Sequence, residues 1–235
     1  MVNNSRTRRR LLHTSDLHLE SINDRDCPNL ESTVDVAIKL GVDLVIIAGD
    51  FFDHNWVDDS LVSFVVEQLQ RLSVPVLILP GNHDCLTPDS VYERDEFWSR
   101  CTNATIFRSP GGEVINLPGP GMSVWGKSID SYIHDVSPMA GIPQPQRKGL
   151  WHIAVAHGYY VGDSYPLFPS YHITQQEIAT SSSWDYIALG HLPTFRCVGN
   201  GPVIACYSGS PLMSRAVAIV DLDDETGVQV NPYSL

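Results

Sequence analysis

The sequence predicts an α/β domain in which two β-sheets are flanked by helices, and three observations carry that reading. The first half of the chain alternates strand-type apolar runs with helix-type periodicity. From residue 103 the alternation gives way to short runs punctuated by Pro and Gly, then to further strands with one more helical stretch. Five short polar islands each follow directly on an apolar run, as loops at strand ends do.

Taken in order, LLHTS at 11–15 is the first strand. Residues 29–40 place Leu30, Val34, Ala37 and Ile38 on one helical face, and Gly41 is the stop. The run 43–48 is too apolar for a sheet with one wet face, so this strand is expected to be buried on both. From 58 to 72, Asp58-Asp59-Ser60 leads into Leu61, Phe64, Val65, Gln68 and Leu72. That is an amphipathic helix whose acidic first turn suits the positive end of the helix dipole. Residues 76–80 give the third strand, and the β-α-β-α-β order predicts parallel pairing through right-handed crossovers. The stretch 103–128 reads as hairpins, and 134–149, with three prolines and two glycines, as a surface loop. Strand returns at 151–156, a short helix is expected at 174–180, and strand again at 185–189. From 195 the chain reads as antiparallel strands around Gly199-Asn200-Gly201 and Asp223–Gly227, with Asp221–Glu225 a solvated turn.

The islands are Asp16-Leu17-His18, Gly49-Asp50, Gly81-Asn82-His83-Asp84, His157-Gly158 and Gly190-His191. Parallel strands that end together would bring them to one sheet edge, where open α/β folds bind ligands. Two carboxylates, an amide oxygen and several imidazoles suit a borderline divalent metal such as Mn, Fe or Zn, whereas an all-oxygen shell suits Mg or Ca. Singly, Asp16 or Asp50 reads as a cap and Gly81-Asn82 as a turn. Five islands in strand-loop register are not explained that way. His13, within a strand, is expected to be buried and satisfied, and His134, His152 and His172 to lie on loops or faces away from a metal. Asp84 reads equally as support for a metal shell or as a loop cap.

These blocks resemble the calcineurin-like metallophosphoesterases, whose signature runs D-x-H, G-D, G-N-H-[DE], H and G-H-x-H. Four of the five blocks match in full, and HTSDLHL, AGDFFD, LPGNHD and YSGSP are most similar to the SbcD-type DNA-repair nucleases. The resemblance implies a four-layer αββα sandwich of two mixed β-sheets flanked by helices, the metallo-dependent phosphatase fold. It implies two divalent ions, Mn first and Fe, Zn or Mg as alternatives, with Asp50 as the bridge between them. Asp16 and His18 join Asp50 at the first metal, and Asn82, His157 and His191 at the second. Two ions roughly 3.5–4 Å apart lower the pKa of a bridging water and clamp the phosphate, so the implied reaction is phosphodiester or phosphomonoester hydrolysis by a metal-bridging hydroxide. His83 stays off the metals as general acid with Asp53 as its orienting partner, while Asn82 and His54 face the substrate. His54 stands where phosphatase relatives place a phosphate-binding arginine. The turn Tyr207–Pro211 is expected near the site. One departure stands out: the last block reads Gly190-His191-Leu192-Pro193, so a proline replaces the final histidine of the first metal. Three protein ligands plus water can still hold a catalytic metal, at lower affinity.

Composition bounds the remaining classes. The 235 residues fit one domain, expected as 11–235 behind a flexible basic tail at 1–10. The net charge is −12, and four of the fifteen basic residues (Arg6, Arg8, Arg9, Arg10) lie in that tail. Such a body disfavours non-specific nucleic-acid binding, although bound metals reverse the field locally. Nucleic acid therefore enters as a substrate, and a coiled-coil ATPase as a partner, only through the SbcD-type resemblance. A catalytically impaired scaffold is the remaining alternative, against which the retention of His83 and Asp53 speaks. Five scattered cysteines without C-x-x-C spacing are expected as reduced cytosolic thiols. No signal-peptide core or membrane span is read, so the expected partner is a phosphate-ester substrate and the expected location the cytoplasm.

Overall fold

The protein is described by a computed structural model over residues 6–23, 26–133, 137–146, 149–163 and 170–235. Its strands are β1 (Arg9–Thr14), β2 (Leu44–Ala48), β3 (Val76–Leu79), β4 (Ala104–Ile106), β5 (Glu113–Leu117), β6 (Met122–Gly126) and β7 (Trp151–His157). They continue with β8 (Tyr159–Gly162), β9 (His172–Thr174), β10 (Tyr186–Gly190), β11 (Phe195–Val198), β12 (Ile204–Ser208), β13 (Ala216–Asp223) and β14 (Gly227–Ser234). The helices are α1 (Cys27–Leu40), α2 (Asp59–Gln70), α3 (Asp95–Trp98) and α4 (Gln175–Thr180). One six-stranded sheet runs β14-β13-β1-β2-β3-β4 and the other β11-β12-β10-β7-β6-β5; β8 and β9 form a separate pair. Both sheets are mixed. β1 to β4 are parallel and β13 antiparallel beside β1, while β6, β7, β10 and β12 are parallel with β5 and β11 antiparallel at the edges.

The alternation of side chains along a strand decides the layers. In β2, Leu44, Ile46 and Ala48 face the second sheet beside Leu77, Trp151, Ile153 and Ala188. Val45 and Ile47 of the same strand face α1 and α2, packing with Val34, Val65 and Leu69. Every residue of β2 is buried, as the unbroken apolar run requires. The outer face of the second sheet is covered by α4 and loops, with Ile178 and Trp184 over Ile187 and Tyr207. Pro28 at the start of α1 and a left-handed Gly41 at its end set that helix's limits.

Several sequence expectations need correction. Ile38 points outward, half exposed, because the buried stripe of α1 runs through Leu30, Thr33, Val34 and Ala37, and one residue past Ala37 turns about 100° away. The 103–128 stretch holds one hairpin, β5–β6; β4 instead extends the first sheet in parallel beside β3. Arg6, Arg9 and Arg10 are no solvated tail, whereas Arg8 is exposed. Arg6 bridges Asp185 and Asp224 at 2.8 Å each and lies over the Trp151 ring, Arg10 pairs with Asp221, and Arg9 with Asp43. The acidic turn is accordingly an arginine-binding face. Cys197 and Cys206, facing each other across β11 and β12, form a disulfide, while Cys27, Cys85 and Cys101 are free and buried. His152 is buried at the start of β7, 3.8 Å from Asp185, and His172 lies in β9. His134 falls outside the described residues. No helix among the described residues is long and apolar enough to cross a membrane.

His13 is buried between the sheets with Nδ1 2.9 Å from the Tyr186 hydroxyl. Burial pushes its imidazole down to about 3, from an ordinary value of 6.5. Between those values the unfolded chain binds a proton that the folded chain excludes. Stability is therefore full above pH 6.5 and is lost as the pH falls toward 3. Replacing both partners, His13→Leu with Tyr186→Phe, removes the titration without stranding a polar atom. Acid unfolding of the metal-free double variant, followed by circular dichroism, should shift to lower pH; an unmoved midpoint would exclude His13 as a source of acid lability.

Candidate metal centre

The parallel strands β1, β2, β3, β7 and β10 end at one edge, and the five islands follow them there. The loop after β1 lies along the loop after β2 through four main-chain hydrogen bonds: Asp16 N to Gly49 O, His18 N to Asp50 O, Leu19 N to Phe51 O and Asp53 N to Leu19 O. Among the described residues, five that are not glycine have positive φ, and Asp16, His18, Asp50 and His191 are four of them. Left-handed backbone at non-glycine residues is costly and gathers where side chains must be aimed at a site. The glycines between ligand islands serve a different need. A Cβ at Gly81 would sit 2.2 Å from Asp50 Oδ1, and one at Gly190 would sit 1.7 Å from the Ala48 carbonyl. Only bare backbone allows strand ends from two sheets to come this close.

Six side chains converge. His157 Nε2 lies 3.1 Å from Asp50 Oδ2 and 3.0 Å from Asn82 Oδ1, and His191 Nδ1 lies 3.0 Å from the same amide oxygen. Asp16, His18 and Asp50 form an adjoining group, with His18 Nε2 3.9 Å from Asp50 Oδ2. Asp50 belongs to both groups. The Ala48 carbonyl, 2.8 Å from His157 Nδ1, can only accept, so it fixes a proton there, and in the neutral ring Nε2 is the nitrogen left to act as a ligand. With both imidazole nitrogens deprotonated, four ligand atoms, from Asp50, Asn82, His157 and His191, face one another. A proton on His157 relieves one of these contacts, whereas a divalent cation satisfies all four. The donor set of carboxylate, amide oxygen and imidazole fits such an ion.

The electrostatics follow from this crowding. Burial pulls the His157 imidazole down, but Asp50 and then Asp16 outweigh it and push it up to about 9. Burial pushes the Asp50 carboxyl up, yet His157 and the His83 amide hold it below the usual range. Burial raises Asp16, and burial together with the charge on His157 lowers His191 to about 4. Asp84 is wholly buried and accepts from the amides of Phe51, Phe52 and Gly81 and from the Tyr92 hydroxyl. It clamps the β2 and β3 loops together, which resolves its two readings in favour of the loop.

His83 sits beside the centre, not within the two groups that share Asp50. Its amide donates to Asp50 Oδ1 at 2.9 Å, and its ring stands edge-on to His18 with centroids 4.7 Å apart. The expected pairing with Asp53 takes an unexpected form. His83 Nδ1 bonds the Asp53 main-chain carbonyl at 2.9 Å, while the Asp53 carboxylate is 2.9 Å from His18 Nδ1 and 3.5 Å from His83 Nδ1. One residue therefore orients two imidazoles, His18 with its carboxylate and His83 with its backbone. His54 Nδ1 accepts from the Trp56 amide. Neither His54 nor His172 joins a ligand group among the described residues, so nothing there takes the place of the histidine that Pro193 replaces. Behind Asp16 lies a hydroxyl network that motif reading passed over. Ser15 bonds the Asp16 carboxylate and Ser208, and Ser210 donates to the Asp16 carbonyl at 2.6 Å. Its trace in the sequence is the Tyr207–Pro211 turn, whose Tyr207 hydroxyl also holds Gly158.

Residues 9–195 match the family described as calcineurin-like phosphoesterase, and the chain belongs to that family. Its members are hydrolases of phosphoester bonds and generally bind two divalent metals. The chain is 34% identical over 84 residues to the DNA double-strand break repair protein Mre11 of Saccharolobus solfataricus, covering 32% of this chain and 22% of that protein. It is 24% identical over 206 residues to the uncharacterized metallophosphoesterase YhaO of Bacillus subtilis, covering 77% of this chain and 48% of that protein. It thus spans about half, or less, of the length of these curated relatives. Nearness to the SbcD-type nucleases has only the short Mre11 match behind it. Among solved structures, TT1561 of Thermus thermophilus is similar with a TM-score of 0.61 at 13% identity, over 96% of this chain and 99% of that one. A novel archaeal phosphodiesterase is similar with a TM-score of 0.53 at 16% identity, over 96% and 99%. These two share the fold.

The inequality of the two groups generates a prediction. Calorimetric titration of the metal-free protein with Mn should show two separated events, the tighter at Asp50, Asn82, His157 and His191 and the weaker at Asp16, His18 and Asp50. Pro193→His should tighten the weaker event if the loop can seat an imidazole. Two indistinguishable tight events in the native protein would mean that another residue already completes the first site.

Proposed function

We propose that this member of the calcineurin-like phosphoesterase family hydrolyses phosphodiester bonds, with Mn as the preferred metal and Fe, Zn or Mg as alternatives. The observation that supports the reading best is the pair of ligand groups sharing Asp50, with His83 held at their edge. In this proposal Asp16, His18 and Asp50 hold one ion, and Asp50, Asn82, His157 and His191 hold the other. When bound, such a pair lowers the pKa of water to the neutral range and neutralises charge on phosphoryl oxygens. The chain's own residues do the rest. Asp53 holds His18 in one tautomer, the Ala48 carbonyl does the same for His157, and His83 presents Nε2 toward the leaving oxygen as proton donor. A diester, with one negative charge, is preferred over a dianionic monoester because the position of the phosphatase arginine is occupied by His54, which lacks the forked guanidinium that holds a dianion.

A second reading, a DNA nuclease working with an ATPase partner, is favoured by the match to Mre11. The net charge of −12 counts against it, since little cationic surface remains to track a polyanion.

A screen of Mn, Fe, Zn and Mg against a generic phosphodiester, a phosphomonoester and single-stranded DNA tests both. Turnover of the diester above the monoester is expected, and monoester preference would overturn the substrate assignment. His83→Ala should lower turnover by about 10²–10⁴ while metal content stays intact. Asp53→Asn should cost less, because the backbone carbonyl that holds His83 survives and His18 loses only the negative charge of its partner. Metal analysis showing an ion stripped by His83→Ala would make His83 a ligand and end its role as proton donor.

A further inference from the structure

Beside the metal centre, on the loop that carries Asp53, stands a set of aromatic faces that neither the fold nor the proposed hydrolysis uses. Trp56 is 67% exposed, whereas the other four tryptophans, Trp98, Trp125, Trp151 and Trp184, are all buried. Its indole lies nearly parallel to the Tyr132 ring, with 18° between planes and centroids 6.3 Å apart, and His54 leans on it at 34° and 5.9 Å. An indole this exposed contributes little to the core. Yet it is firmly placed. Asn55, next to Trp56 in the chain and fully buried, donates to the Cys85 carbonyl at 2.8 Å and the Tyr132 hydroxyl at 2.9 Å, and accepts from Ser90 and the Val91 amide. One saturated amide thus anchors Tyr132 by its hydroxyl and fixes the backbone on which Trp56 stands.

The platform is continuous with the reacting end of the molecule. Only two residues, His54 and Asn55, separate Trp56 from Asp53, whose carboxylate and carbonyl hold His18 and His83. Its faces are apolar and its edges polar, with the Trp56 indole beside the Asp89 carboxylate and the Tyr132 hydroxyl on Asn55. That pattern suits a flat ring with polar edges better than an alkyl chain. The protein's acidity adds a further argument, because affinity for a phosphoester of a ring compound has to come from contacts other than basic side chains.

We propose that Trp56 and Tyr132, with His54, form a stacking subsite for the nucleobase of a nucleotidyl phosphoester whose phosphoryl group lies at the metal centre. This rests on the phosphoester reading above and adds the substrate class. Stacking tolerates any base, since each presents a π-face, so the subsite selects nucleotides over other phosphoesters without selecting among sequences.

The test compares adenosine 5′-monophosphate with ribose 5-phosphate, which keeps sugar and phosphate and lacks the base. With zinc-loaded full-length protein excited at the red edge of tryptophan absorption, acrylamide quenching reads Trp56, the exposed indole. Adenosine 5′-monophosphate should protect it and ribose 5-phosphate should not. By calorimetry, Trp56→Ala should bind adenosine 5′-monophosphate about 10- to 100-fold more weakly, with Trp56→Phe in between. Equal binding of the two ligands, or equal loss of both in Trp56→Ala, overturns the subsite. Protection by phosphatidylglycerol vesicles in place of nucleotide also overturns it and makes the face a membrane contact. Base-dependent binding without turnover of any phosphoester upholds the subsite and sinks the hydrolytic reading alone; turnover without base-dependent binding does the reverse.

Discussion

Asp50 carries a carboxylate that is almost wholly buried at the meeting point of two sheets, and the arrangement around it answers the cost of that burial. An uncompensated charge in such a place costs several kcal/mol. Compensation comes from the imidazole of His157 at the end of β7 and the amide of His83 in the loop after β3. Those partners reach it because Gly81 has no side chain to occupy the same space, and because Asp50 itself accepts a left-handed backbone. The proton position on His157 follows in turn from the carbonyl of Ala48, the last residue of β2 and two positions before Asp50. Strain, glycines and tautomer are consequences of one buried anion shared by two groups.

The sandwich makes that sharing possible. Because β1, β2 and β3 of one sheet and β7 and β10 of the other end at the same edge, the centre straddles both sheets. The core between them, from Leu44 and Ile46 to Ile153 and Ala188, sets their separation and rigidity. Two clamps then hold the loops to that frame: the Asp84 carboxylate across the β2 and β3 loops, and the Ser15, Ser208 and Ser210 hydroxyls behind Asp16. Both are buried polar networks, which specify geometry strongly when every member is satisfied.

The five polar islands were legible in the sequence as strand-end loops because each follows an apolar run, and a strand's end is a local property. So were α1 and α2, whose apolar stripes have a helical period, and β2, whose unbroken run demands two buried faces. What could not be read locally depended on partners distant in sequence. Asp53 was matched to His83, but which imidazole its carboxylate meets depends on where β1 and β2 bring His18. The arginines at the start of the chain looked like a loose tail because Asp185, Asp221 and Asp224, which bind them, lie about 180 residues or more away. Cys197 and Cys206 showed no motif spacing because their pairing is a matter of register between β11 and β12. Trp56 and Tyr132 were silent for the same reason, since a stacked pair 76 positions apart leaves no periodic trace.

The central claim is that Asp50 is held in common by two metal ions. Anomalous diffraction from crystals grown with Mn measures this directly. Two peaks about 3.5–4 Å apart are expected, one beside Asp16 and His18 and the other beside Asn82, His157 and His191, with an oxygen of Asp50 touching each. A single peak at full Mn saturation, or two peaks of which one does not contact Asp50, would contradict the account.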